Sequence, residues 1–165
     1  TLFPYTTLFR SMGISEESAE KLKNFYKKSP TCVVFAADGL SGTAIEANYD
    51  IVIPALMNGL KAHGIDVGEP FFVRYGRVAV QDEISEITGC DVCVCLIGER
   101  PGLATAKSMS AYITYKGTIG MSEARRTVVS NIHNAGTPAA EAGAHIADIV
   151  DIMLKEKASG TDLKL

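Results

Sequence analysis

Residues 91–97 (DVCVCLI) constrain the fold of this chain more than any other stretch. The apolar run within it, residues 92–97, is six residues long. A membrane helix needs about 20, and no other run comes closer to that length. A short, wholly apolar run with no polar side reads as a strand buried on both faces, so helices have to cover both sides of its sheet.

The rest of the chain supplies such helices. Ser15 is an N-cap signal, and Ala19, Leu22, Phe25 and Tyr26 recur at helical spacing until Ser29-Pro30 closes the segment. Residues 31–36 (TCVVFA) read as a second buried strand, followed by a polar, glycine-rich turn over 38–43. A helix is expected over 49–63, with Gly64 as its C-terminal cap. Further strands are expected at 71–74, 109–115 and 127–132, and a short helix at 82–88. Thr137 offers an N-cap and Pro138 a first helical position for a helix to about residue 158. Its Ile146, Ile149, Val150 and Met153 share one face. Strands alternating with helices predict an α/β, Rossmann-like three-layer sandwich with a mainly parallel sheet. The expected organisation is an N-terminal helical segment over 12–30 and one α/β domain over 31–165.

Residues 1–11 (TLFPYTTLFRS) show no helical or strand period. They also lack the basic region and continuous apolar core of a signal peptide. They read like the conceptual translation of a sequencing-library adapter, which would make them an artefact and the chain a fragment. Sixteen Lys and Arg against nineteen Asp and Glu leave a net charge of −3. That excludes the basic footprint of a nucleic-acid binder and argues against a membrane-surface protein. Three of the four cysteines, Cys90, Cys93 and Cys95, crowd together and Cys32 stands apart. A secreted disulfide framework would spread them, so a reducing cytosol is expected. Zinc would need a fourth ligand that no nearby Cys or His supplies. Strand alternation puts Cys93 and Cys95 on one face with Cys90 pointing away, and all three are expected to pack as small hydrophobes.

Ligands of open α/β sheets sit beyond the carboxyl ends of the strands. The turns that qualify are at 38–43, 75–78, 98–102 and 130–133. Their mixture of carboxylates, arginines, amides and accessible backbone suits a large, amide-rich ligand better than a bare phosphate. The turn at 38–43 matches neither the dinucleotide fingerprint nor the P-loop, and Thr43 stands where a nucleophile elbow needs Gly. In Gly98-Glu99-Arg100-Pro101-Gly102, a charged pair projects from a buried apolar strand, as a ligand contact or as a surface ion pair on a tight turn. His63 is expected at a helix end, His133 in a turn and His145 on a helix face.

Taken in order, these turns resemble the ethanolamine ammonia-lyase light chain. The resemblance runs over residues 12–165. It is carried by Ala37-Asp38-Gly39-Leu40-Ser41, Phe72-Val-Arg-Tyr-Gly-Arg-Val78, Asp82-Glu-Ile84, Ile97-Gly-Glu-Arg-Pro-Gly-Leu103, Ser130-Asn-Ile-His133, Gly136-Thr-Pro138 and Glu141-Ala142. It implies a non-catalytic subunit that binds adenosylcobalamin at an interface with the large subunit, where ethanolamine becomes acetaldehyde and ammonia. It also implies a bacterial cytoplasmic setting, within an ethanolamine-utilisation microcompartment. Light chains of the family carry a further N-terminal segment.

The cobalamin contacts implied by the resemblance are Val78, Glu99 and, where relatives can have Cys, Val128. No catalytic residue and no metal ligand is implied in this chain. Asn131-x-His133-x-x-Gly136 lacks the Asp of the motif by which some proteins ligate cobalt through histidine. That agrees with cobalamin keeping its own base on cobalt. The alternative from another class is a stand-alone Rossmann-like nucleotide- or phosphate-binding module.

Overall fold

The computed structural model describes residues 2–8, 11–102 and 104–165. In chain order the elements are β1 (Leu2–Leu8), β2 (Ser11–Ile14), α1 (Glu16–Phe25), β3 (Cys32–Ala37), α2 (Gly42–Ala62), β4 (Phe71–Arg74) and α3 (Val80–Thr88). They continue with β5 (Val92–Gly98), β6 (Met109–Tyr115), β7 (Thr127–Ile132) and α4 (Ala139–Glu156).

The strands lie in the order β2-β1-β4-β3-β5-β6-β7. Strands β4, β3 and β5 are mutually parallel, whereas β6 and β7 run antiparallel to their neighbours. The α/β class is as expected, and the five strands from β4 to β7 make a mixed sheet flanked by helices. The expectation of a mainly parallel sheet needs correcting. Parallel neighbours require a long crossover, usually a helix. Among the described residues the connections 99–108 and 116–126 contain no α-helix, only a 3-10 turn at Glu123–Arg125, so the chain doubles back twice.

Alternation along the buried strands sorts the core into two layers. Cys32, Val34 and Ala36 of β3, with Val92, Val94 and Leu96 of β5, pack on α2 and α4. Val33, Phe35 and Ala37, with Cys93, Cys95 and Ile97, pack on α1 and α3, where the Phe35 ring stacks on Phe71 at 5.6 Å. Helices α2 and α4 approach closely because their contact is made of small residues. A Cβ at Gly143 would lie 2.7 Å from the Ala55 Cβ, and one at Gly59 would lie 2.6 Å from the Ala147 Cβ. Ile146, Ile149, Val150 and Met153 are all buried, as their spacing predicts.

Several element ends differ from expectation. Helix α2 begins at Gly42 because Ser41 caps it, its hydroxyl accepting from the Ala44 N–H at 3.2 Å. Gly42 at its first position hides that start. Helix α1 ends at Phe25, before Ser29-Pro30, and Pro138 itself occupies the cap position of α4, without a side-chain cap. Cys93 and Cys95 share a face as predicted, but Cys90 packs in the same cluster. It precedes β5, so strand alternation does not govern its direction.

In residues 1–11, where no strand period is legible, Leu2–Leu8 pairs in parallel with β4 and antiparallel with Ser11–Ile14. The outer edge of β4 offers a row of unpaired backbone groups, to which an extended segment can add without side-chain periodicity. No helix among the described residues is long and apolar enough to cross a membrane.

Candidate functional site

The chain passes from β3 through α2 to β4 on one side, then through α3 to β5 on the other. The carboxyl ends of β3 and β5 therefore form a topological switch point, where the connections diverge and leave a crevice. A cleft of about 430 Å³ lies there, lined by Gly39, Leu40, Arg77, Val78, Glu99 and Tyr112 among others.

The glycines let the loops close on one another. Gly39 sits at φ +56, and a Cβ there would lie 2.4 Å from the Ile97 side chain. A Cβ at Gly98 would be 2.0 Å from the Ser41 carbonyl oxygen. Arg77 donates to the Gly39 carbonyl and, at 3.2 Å, to that of Gly76, which clamps the β4–α3 turn onto the β3–α2 turn.

Of the residues singled out from the sequence, Val78 and Glu99 both line this cleft. Glu99 is half-buried at the end of β5. Its carboxylate accepts from the Ser108 hydroxyl at 2.7 Å and from the Ser110 hydroxyl, and its backbone N–H donates to the Ser108 carbonyl at 3.0 Å. Val128 is not in the cleft lining. It sits on β7 directly opposite Tyr112, 47% exposed, so it continues the same sheet face one strand further out.

Tyr112 was not foreseen. It stands on the same face of β6 as Ser110, and partial burial together with the Glu99 carboxylate pushes its phenol pKa up, so it remains a neutral hydroxyl. Strand alternation puts Ser110 and Tyr112 on one face of β6, but nothing in their residue types marks them as site residues, and Ser108 precedes the strand.

A buried polar network holds this wall in place. The Gln81 side-chain amide, fully buried, donates to the carbonyls of Cys93 at 2.7 Å and Tyr112 at 2.8 Å. Its oxygen accepts from Arg126 at 3.0 Å. The Arg126 guanidinium binds Asp82 in a fork, at 2.9 and 2.8 Å, and also reaches Glu123 at 2.8 Å. Burial opposes its charge, but the bonds to Asp82 and Glu123 prevail and hold its pKa above the ordinary value. The Gln81 backbone N–H meets the Val78 carbonyl at 3.0 Å, so one residue ties together two sides of the cleft.

The other candidates have local explanations. All four cysteines are free and buried, and burial pushes the thiols of Cys93 and Cys95 well up, away from the thiolate that a metal or a nucleophile needs. Among the described residues no three His, Cys, Asp or Glu side chains converge as a metal site. His63 ends α2 and bonds Asp148 of α4 at 2.8 Å. His133 lies in the turn after β7, where Nδ1 accepts from the Ala135 N–H at 3.2 Å.

A family model of the ethanolamine ammonia-lyase light chain (EutC) matches residues 11–164. The chain is 62% identical over 152 residues to an ethanolamine ammonia-lyase small subunit of Fusobacterium nucleatum, covering 92% of this chain and 52% of that one. To the small subunit of Clostridium tetani it is 61% identical over 152 residues, covering 92% and 51%. To that of Listeria innocua it is 51% identical over 149 residues, covering 90% and 51%. The chain thus spans about half the length of the curated relatives it matches.

Proposed function

Because the chain belongs to the ethanolamine ammonia-lyase light-chain family, we propose that it is the cofactor-contacting part of a light subunit. In this reading it binds adenosylcobalamin together with a large subunit, and the complex converts ethanolamine to acetaldehyde and ammonia inside a bacterial ethanolamine-utilisation microcompartment. The observation that carries the reading is the convergence of Val78 and Glu99, from the turns after β4 and β5, on the one cleft at the switch point.

The chemistry of the cleft fits such a ligand. A corrin presents a broad apolar body edged with primary amides, which donate N–H and accept through C=O. Leu40, Val78 and Tyr112 offer apolar surface to the cleft, Leu40 being 57% exposed. One oxygen of Asp38, at the end of β3, is buried without a hydrogen-bond partner, so this rim holds unused acceptor capacity. Each Glu99 oxygen keeps a further lone pair after bonding its serine.

Bound cofactor would supply the radical chemistry, by homolysis of its cobalt–carbon bond. The residues of this chain bind and orient. Ser108 and Ser110 fix the Glu99 carboxylate before the ligand arrives, which lowers the ordering cost of its hydrogen bonds. Arg77 holds two turns at a set separation, and Tyr112 offers a neutral hydroxyl. Val128, opposite Tyr112, extends the contact surface one strand further out.

The test is cofactor retention by the complex co-expressed with its large subunit. A hydrogen bond to a charged group is worth about 1.5–3 kcal/mol, so Glu99→Ala is expected to weaken adenosylcobalamin roughly ten- to hundred-fold. Glu99→Gln, which keeps an acceptor, should lose less, and turnover should return at saturating cofactor. Unchanged affinity in Glu99→Ala, or lyase turnover by the isolated chain, would overturn the reading.

A further inference from the structure

Two of the four thiols form a pair. Cys90 and Cys93 have the spacing Cys-x-x-Cys and pack together on the α1 and α3 side of the sheet, where the Cys93 thiol hydrogen-bonds the Cys90 sulfur. Cys32 belongs to the opposite layer, against α2 and α4. Cys90 follows the left-handed Gly89 that ends α3. It is the least buried of the four, 3% exposed against 1% for Cys93 and 0% for Cys32 and Cys95.

The surroundings of Cys90 favour its thiolate. Its pKa is lowered, first by the hydrogen bond with Cys93, which outweighs burial, and then by the Thr88 and Ser85 hydroxyls beside it. The Lys116 ammonium, paired with Asp91, lies within electrostatic reach of the same sulfur. Burial pushes the other three thiols the opposite way. One sulfur inclined to ionise, in contact with a second that stays protonated, is the arrangement of an attacking and a resolving thiol.

A second observation marks the same place. Thr114 pairs with Cys93 across β5 and β6, so the two side chains share a face. The Thr114 hydroxyl is fully buried and has no hydrogen-bond partner, a cost that the fold carries. A Cβ at Gly117 would lie 3.1 Å from both Thr114 Oγ1 and Ser85 Oγ, so these hydroxyls belong to one polar corner, and Ser85 touches both sulfurs. An oxygen added to sulfur in this corner would meet a donor that the reduced protein leaves idle.

We propose that Cys90 and Cys93 are a redox-active dithiol, which a hydroperoxide oxidises to an intramolecular disulfide with Cys90 as the attacking sulfur and Cys93 as the resolving one. The Cys90 thiolate attacks one peroxide oxygen, the O–O bond breaks, and the other oxygen leaves as water with the proton that Cys90 gave up. Cys93 then attacks the Cys90 sulfenic acid. The S–S bond forms, the S–O bond breaks, and hydroxide leaves with the Cys93 proton as a second water. Two thiols lose two electrons and one hydrogen peroxide gains them. The Cys93 carbonyl accepts from the Gln81 amide at 2.7 Å, so the disulfide lies at the foot of the network that holds the cleft wall.

The test treats the reduced full chain with hydrogen peroxide at neutral pH, blocks the remaining thiols with N-ethylmaleimide and reads tryptic peptide masses. Cys90, Cys93 and Cys95 fall in one peptide, residues 78–107, and Cys32 in another, residues 29–61. The first peptide should lose two hydrogens and carry one maleimide in place of three, roughly ten-fold or more faster than the Cys32 thiol is lost. Dithiothreitol should restore it. Cys95→Val leaves only Cys90 and Cys93 in that peptide and should react at the unaltered rate, which identifies the pair without disturbing it. Cys90→Ser and Cys93→Ala should each abolish the two-hydrogen loss. Loss of the Cys32 thiol at the same rate would mean oxidation through global unfolding, and would overturn the proposal. So would a two-hydrogen loss that persists in Cys90→Ser or disappears in Cys95→Val, arrest of Cys90 as a sulfinic acid, or four thiols left intact.

Discussion

Arg126→Met should be among the most destabilising single substitutions in this chain. The Arg126 side chain is 2% exposed and that of its partner Asp82 7%. Removing the guanidinium therefore leaves a buried carboxylate without its fork, and Gln81 without a donor on its oxygen. Breaking a buried pair in this way costs about 3–5 kcal/mol, out of a total stability typically of about 5–15. With a urea slope near 2 kcal/mol/M, the unfolding midpoint should fall by roughly 1.5–2.5 M. Arg126→Met/Asp82→Leu removes both charges and should recover most of the loss. Urea titrations at pH 7 on the four members of the cycle measure this. A single-variant cost below 1 kcal/mol, or a double variant as unstable as the sum of the singles, would refute the account.

Gly98→Ala should lower the melting temperature by roughly 6–12 °C. The new Cβ meets the Ser41 and Asp38 carbonyl oxygens at 2.0 and 2.6 Å, both backbone atoms that cannot step aside, and overpacking of this kind costs about 3 kcal/mol. A shift under 2 °C in a thermal melt would contradict it. The buried thiols set an alkaline limit. Burial raises the folded pKa of Cys32, Cys93 and Cys95, so their contribution to stability is complete below the unfolded thiol value near 8.5 and is lost as pH rises above it. Each thiol contributes a slope of about 1.4 kcal/mol per pH unit, so Cys95→Val should lower the slope of stability between pH 9 and 10 by about that amount. An unchanged slope in urea titrations would count against it.

How much of this could be read in the sequence depended on where each signal resided. The wholly apolar strands and the spacing of Leu22 and of Ile146 to Met153 are local patterns, and the core follows them. The pairing direction of β6 and β7 resided instead in connections that lack a helix, a signal easily overlooked beside the strands themselves. Val78 and Glu99 were nameable through family resemblance, and their convergence reflects strand-end turns, which periodicity does locate. Tyr112 and Gln81 were not nameable. Their importance comes from facing neighbours distant in sequence, and an interior glutamine on an amphipathic helix carries no mark of which carbonyls it will meet.

The division of the sheet into a parallel and an antiparallel half bears on the order in which the molecule can assemble. Strands β5, β6 and β7 form a meander whose pairings close short stretches of chain. The pairing of Cys32 with Val92 must first close a loop that contains all of α2, β4 and α3. Closure entropy grows with loop length and slows such contacts, so the meander is the natural nucleus and β3 docks on it afterwards. The cleft at the switch point straddles that seam, with Glu99 and Tyr112 on the early half and Leu40, Arg77 and Val78 on the late one. One wall of the cleft is then framed before the other exists, and ligand contacts across the seam act on the slower docking step.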